Sequence, residues 1–221
     1  MADRTSHQTG RLTLRQGLLA LVLAWAGVAD AASLTVRVRT PAGAPVEDAA
    51  VVLDPVSGTP PQPRRRATIE QRDREFVPYL TIVQKGTSVD FPNRDPFKHH
   101  VYSFSPAKVF EIKLYAGQPA NPVVFDQTGA IALGCNIHDW MEAYALVVDT
   151  PWFAKTGADG MARIERVPAG AYRLRLWHPR QKAPAADTGV DLRAASRHLD
   201  LQIDVAPRVV APKPPLDAGR Y

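Results

Sequence analysis

Leu34, Val36 and Val38 alternate with Thr35, Arg37 and Arg39, and this period of two constrains the fold more than any other feature of the chain. Alternation places one set of side chains on a buried face and the other in water, so the segment is a half-buried strand. The pattern returns at His100 to Phe104, Ala130 to Leu133 and Ala171 to Trp177, and in Leu199, Leu201, Ile203 and Val205 of the stretch His198 to Val205. Further strands are expected around Ala49 to Leu53, Leu80 to Gly86, Ser88 to Phe91 and Ala162 to Arg166. Ala143 to Val148 is a nearly continuous apolar run, which reads as a strand buried on both faces. The 20 prolines and 14 glycines punctuate short segments and disfavour long helices. A short helix near Phe110 to Tyr115 is the one helical option. The fold class is therefore all-β.

The N-terminus follows a different rule. Arg4, Arg11 and Arg15 precede an apolar run from Leu18 to Val28 that ends in Ala29-Asp30-Ala31. A basic segment, a short apolar segment and a small-residue exit read as a signal peptide over residues 1–31, with export to the periplasm. Retention as an N-terminal anchor is the alternative, and no second apolar segment approaches the length of a membrane span. The proline- and arginine-rich stretch from Gly58 to Arg66 reads as a linker, and residues 206–221, with Pro207, Pro212, Pro214 and Pro215, as a disordered tail. The net charge of +5 comes from scattered basic residues that do not interleave with aromatics, so nucleic acid is not an expected partner.

The chain has one cysteine, Cys135. In an oxidising compartment it has no intramolecular disulfide partner, which leaves a buried spectator, an intermolecular link, a nucleophile or a metal ligand. Its neighbours Asn136-Ile137-His138-Asp139-Trp140-Met141 add an imidazole and a thioether at three-residue steps. Thiolate, imidazole and thioether together select copper in a trigonal site with a weak axial sulfur. A further ligand must come from elsewhere, and His99 and His100 are the source. Alternation separates these two: His99 shares a face with Val101, and His100 with Tyr102 and Phe104.

Two resemblances extend this reading. Phe76-Val77-Pro78, Leu80, Ile82, Gly86, Val89, Phe91, Asn93 and His99, then Phe125 to Cys135, His138 and Met141, resemble the two halves of a cupredoxin, the Greek-key β-sandwich of blue copper proteins. The loop length is that of the short-loop, amicyanin-type members. The resemblance implies one copper ion cycling between Cu(I) and Cu(II), held by His99, Cys135, His138 and an axial Met141. It also implies supporting roles for Asn93, His100 and Asn136, and a docking patch of Pro96, Phe97 and Trp140 around a loop histidine near the surface. Gly134 and Ile137 depart from the pattern, where an aromatic or histidine and a proline are usual, and Ala143 replaces a glycine. The second resemblance lies in Gly43 to Leu53, Thr156 to Gly160 and Val167 to Leu174, which are similar to a carboxypeptidase regulatory-like (transthyretin-like) sandwich. It implies that residues 32–58 and 150–205 form two halves of that module, with the copper domain, residues 67–149, inserted between them. The combination also resembles a group of exported proteins called methylamine utilization proteins.

The function implied is electron transport, without enzyme activity, between periplasmic redox partners that the sequence does not identify. Copper binding and delivery, with His100, Asp139 or Glu142 supporting an exchangeable site, is a second reading. A copper-free interaction sandwich is a third. A thiol enzyme with Cys135 activated by His138 has no evident oxyanion loop or third orienting residue.

Overall fold

The structure, a computed structural model, describes residues 1, 32–62, 65–119, 121–193, 196–209 and 212–213. The segment read as a signal peptide lies, apart from Met1, outside the described residues, as does most of the C-terminal tail.

Strands β1 (Ala32–Arg39) and β2 (Ala50–Pro55) come first. They are followed by β3 (Arg66–Thr68), β4 (Glu70–Arg72), β5 (Glu75–Val77), β6 (Leu80–Gln84), β7 (Thr87–Asp90) and β8 (His99–Ser105). Next come β9 (Lys108–Tyr115), β10 (Val123–Phe125), β11 (Gly129–Gly134) and β12 (Glu142–Val148). The chain continues through β13 (Phe153–Lys155), β14 (Met161–Val167), β15 (Ala171–Trp177), β16 (Thr188–Asp191) and β17 (Arg197–Gln202). Every regular element among the described residues is a strand, and none of them is a helix long and apolar enough to cross a membrane.

Two sheets, ordered β14-β1-β17 and β13-β2-β15-β16, enclose one hydrophobic core. Leu34, Val36 and Val38 of β1 enter it opposite Val51 and Leu53 of β2 and Leu174 of β15. Its residues come from two stretches far apart in sequence, and Thr156 ties them together. Its hydroxyl donates to the Val46 carbonyl at 2.7 Å and accepts from the Ala49 amide at 2.8 Å, all in the interior. Thr156→Val keeps the shape but leaves both backbone groups without a partner. It is expected to lower the unfolding free energy by about 2 kcal/mol, read as a drop in urea midpoint at constant m-value.

The second pair of sheets, β10-β7-β3 and β6-β12-β11-β8-β9, encloses another core that includes Phe91, Val101, Ile131, Ala143 and Val147. The chain crosses repeatedly between these two sheets, and the crossing from β7 to β8 delivers His99. β12 explains its own apolar run. Ala143, Ala145 and Val147 face this core, while Leu146 and Val148 meet Ala50 and Val52 of β2 in a third cluster where the two sandwiches touch.

Three local expectations are corrected. Phe110 to Tyr115 is part of strand β9, where Phe110 and Ile112 pack on the core while Val109 is exposed. The stretch read as linker ends inside a strand, because Arg66 opens β3 and pairs in parallel with Ser88 of β7. Two of the tail's described side chains contact the fold. Arg208 stacks on Tyr79 at 3.9 Å and Lys213 donates to the Asp73 carbonyl at 2.9 Å.

Candidate metal centre

β11 and β12 are antiparallel neighbours whose last pair is Gly134↔Glu142, so Cys135 to Met141 form the loop that joins them. Gly134 also pairs with Tyr102 of β8, which runs antiparallel to β11, and this register brings the start of β8 to the same end of the sheet. His99 therefore arrives beside the loop. The Met141 amide donates to the His138 carbonyl at 2.9 Å, closing the turn that directs His138 inward.

Three donor atoms converge there. His99 Nδ1 lies 3.1 Å from His138 Nδ1, and Cys135 Sγ lies 4.0 Å from the first and 3.8 Å from the second. The point equidistant from atoms so spaced is about 2.1 Å from each, at the length of a metal–imidazole bond, roughly 2.0–2.1 Å for zinc. The spacing and the donor types thus fit one thiophilic ion. All three residues are buried, as is Met141, and Cys135 and Met141 belong to the core that the site caps.

The environment sets the protonation of both rings. Burial, then the neighbouring His99 and Arg74, push the His138 imidazole down to about 4, so it is neutral at physiological pH. His99 Nε2 is 2.6 Å from Asp95 Oδ2. That contact places the His99 proton on Nε2 and leaves Nδ1 facing the other two donors.

Wider support comes from Asn93. Its amide nitrogen donates to the carbonyls of Phe97 (2.7 Å) and Tyr115 (3.1 Å), while its side-chain oxygen accepts from the Asp95 amide at 2.9 Å. These bonds shape the loop that carries Asp95 and His99. Phe97 and Trp140 lie against the histidines, with ring centroids 5.2 Å from His99 and 5.1 Å from His138 respectively.

No protein-family model matches the chain, and no curated protein does. Among solved structures, the chain is similar to a purple cupredoxin from Nitrosopumilus maritimus, 21% identical over 37% of this chain and 99% of that one, with a TM-score of 0.34. It is also similar to a copper-containing nitrite reductase from Thermus scotoductus SA-01, 21% identical over 43% of this chain and 25% of that one, with a TM-score of 0.35. A reduced amicyanin variant is 15% identical over 44% of this chain and 98% of its own, with a TM-score of 0.34.

Several expected positions differ from this geometry. His100 is not a partner of the loop: its Nε2 meets Glu111 of β9 at 2.8 Å, on the other face of β8 from His99. Asn136 is exposed and makes no side-chain hydrogen bond among the described residues. His138 is fully buried rather than near the surface, because Phe97 and Trp140 pack over it while Pro96 stays exposed. Gly134 is not bare. A Cβ there would lie 2.7 Å from Tyr102 Cζ, so the tyrosine ring of the adjacent strand occupies the space next to Cys135. Asp95 is the functional side chain that the sequence reading missed. Its only sequence signal is a carboxylate four residues before His99, on a turn already marked by Asn93.

Proposed function

We propose that this chain is an exported type 1 copper protein that carries single electrons between periplasmic redox partners. His99, Cys135 and His138 are its equatorial ligands and Met141 its axial one. The observation that carries this reading is the convergence of two imidazole nitrogens and one thiol sulfur at a mutual spacing that fits a single ion. Copper in such a ligand set supplies a one-electron Cu(I)/Cu(II) couple.

The chain's own residues favour a carrier over a delivery protein or an enzyme. The ligands are buried beneath aromatic rings, which suits a fixed site. Of the groups that the copper-delivery reading assigns to an exchangeable site, His100 is engaged by Glu111, and Asp139 and Glu142 are exposed. Phe97 and Trp140 lie against the histidines and, with exposed Pro96, form the proposed docking patch for a redox partner. The basic, then apolar N-terminal segment supports export.

The test is a titration of the purified mature protein with cupric ion, followed by optical and electron paramagnetic resonance spectra, beside Cys135→Ser. One equivalent is expected to produce an intense sulfur-to-copper band and a type 1 signal, both lost in the variant. Copper binding without that band, or identical spectra from Cys135→Ser, would overturn the electron-carrier reading.

A further inference from the structure

We propose that Asp95 is a positioning residue for the metal centre, held by the Asp73–Arg74 turn and fixing the His99 ring with Nδ1 toward Cys135 and His138. Its consequence for copper rests on the function proposed above; the geometry does not.

The turn joins β4 to β5, and both of its residues are left-handed, with φ of 55° for Asp73 and 58° for Arg74. Neither is glycine, so each stores backbone strain on the order of 1 kcal/mol. What the conformation achieves is specific. The Asp73 amide donates to Asp95 Oδ1 at 2.7 Å and the Arg74 amide to Asp95 Oδ2 at 2.9 Å, two successive N–H groups gripping one carboxylate. Burial raises the Asp95 carboxyl, but the hydrogen bonds from the Arg74 amide, the His99 ring and the Asp73 amide outweigh it and hold the group below its ordinary value. Only 7% of the side chain is exposed, so the carboxylate is fixed on one side by the turn and on the other by His99.

The same turn reaches the second histidine. The Arg74 carbonyl accepts from the Trp140 indole at 3.2 Å, and the Trp140 ring lies against His138. Asp73 is braced in turn from the C-terminal segment, by Lys213 on its carbonyl.

Proton placement follows. With His99 protonated on Nε2 toward Asp95, the proton between the two Nδ1 atoms of the metal-free protein belongs to His138. His99 Nδ1 then presents a lone pair with no tautomeric change required.

The experiment has two arms. Nitrogen-15 spectra of the imidazole rings in the metal-free wild type are expected to show His99 as the Nε2–H tautomer, and Asp95→Asn is expected to lose that single tautomer. In copper-loaded protein, competition with a chelator is expected to show affinity about 10–100-fold lower in Asp95→Asn. Its reduction potential is expected to be higher, because a negative charge that favours cupric ion is gone. An Nδ1–H tautomer for His99 in the wild type overturns the proposal, and so does an Asp95→Asn protein with unchanged tautomer, affinity and potential. If Asp95→Asn does not fold, the wild-type spectrum still decides. If copper does not bind at all, the functional reading fails while the tautomer result stands.

Discussion

Replacing His99 by alanine is expected to abolish tight copper binding, whereas His100→Ala is expected to leave it nearly unchanged. The two residues are neighbours in sequence and both are buried, so neither exposure nor composition separates them. The pleat of β8 does. His99 Nδ1 faces His138 at 3.1 Å, while His100 turns to the opposite face of the strand and meets Glu111. Loss of a ligand costs more than the roughly 10–100-fold that follows loss of a supporting contact. The check is chelator competition with resonance spectra on both variants. A type 1 signal that survives His99→Ala and vanishes in His100→Ala would reverse the assignment.

That choice between histidines was legible because the cupredoxin resemblance puts His99 at the ligand position and the period of two turns His100 to the other face. Legible too were β1 and the doubly buried β12, whose apolar run needs two cores to cover it. Legibility ended where a strand's outer face is itself apolar. Exposed Val109 and Leu114 mask the alternation in β9, which made a short helix look plausible. It ended as well at the short strands β3, β4 and β5, whose outward Arg66, Arg72 and Glu75 leave too few buried positions to define a period. The centre divides in the same way. The loop from Cys135 to Met141 is local, so its donors could be read as one group. Asp95 depends on amides 21 and 22 residues earlier in the chain, and Trp140 on a carbonyl 66 residues away. No sequence period reports contacts that a turn makes after the sheets have assembled. The cupredoxin resemblance implies a loop histidine near the surface, and it carries no information about the Phe97 and Trp140 rings that cover His138 in this chain.

Gly160→Ala is expected to destabilise the fold by about 3 kcal/mol or more, the largest stability effect of a single added methyl group considered in this chain. Two costs combine there. The residue has φ +74°, a conformation that an L side chain adopts at a cost of roughly 1–2 kcal/mol. An added Cβ would also lie 2.5 Å from the Val38 carbonyl oxygen, 3.1 Å from Pro45 Cβ and 3.2 Å from the Val46 amide nitrogen. The nearest of these atoms is backbone and cannot rotate away. Its carbonyl accepts from the Val46 amide, while the Val38 amide donates to the Gly160 carbonyl at 2.8 Å. Relief of the clash therefore disturbs the hydrogen bonds that join β1 to the turn before β14. Gly43→Ala isolates the first cost, since Gly43 has φ +88° and nothing within 4 Å of its added Cβ. It is expected to lose only about 1 kcal/mol. Urea denaturation of both variants gives the comparison, with m-values checked for constancy. Equal losses would mean that the approach of Val38 to Gly160 is looser than described. A larger loss at Gly160 shows that glycine is required there by a neighbouring strand, and not by the turn alone.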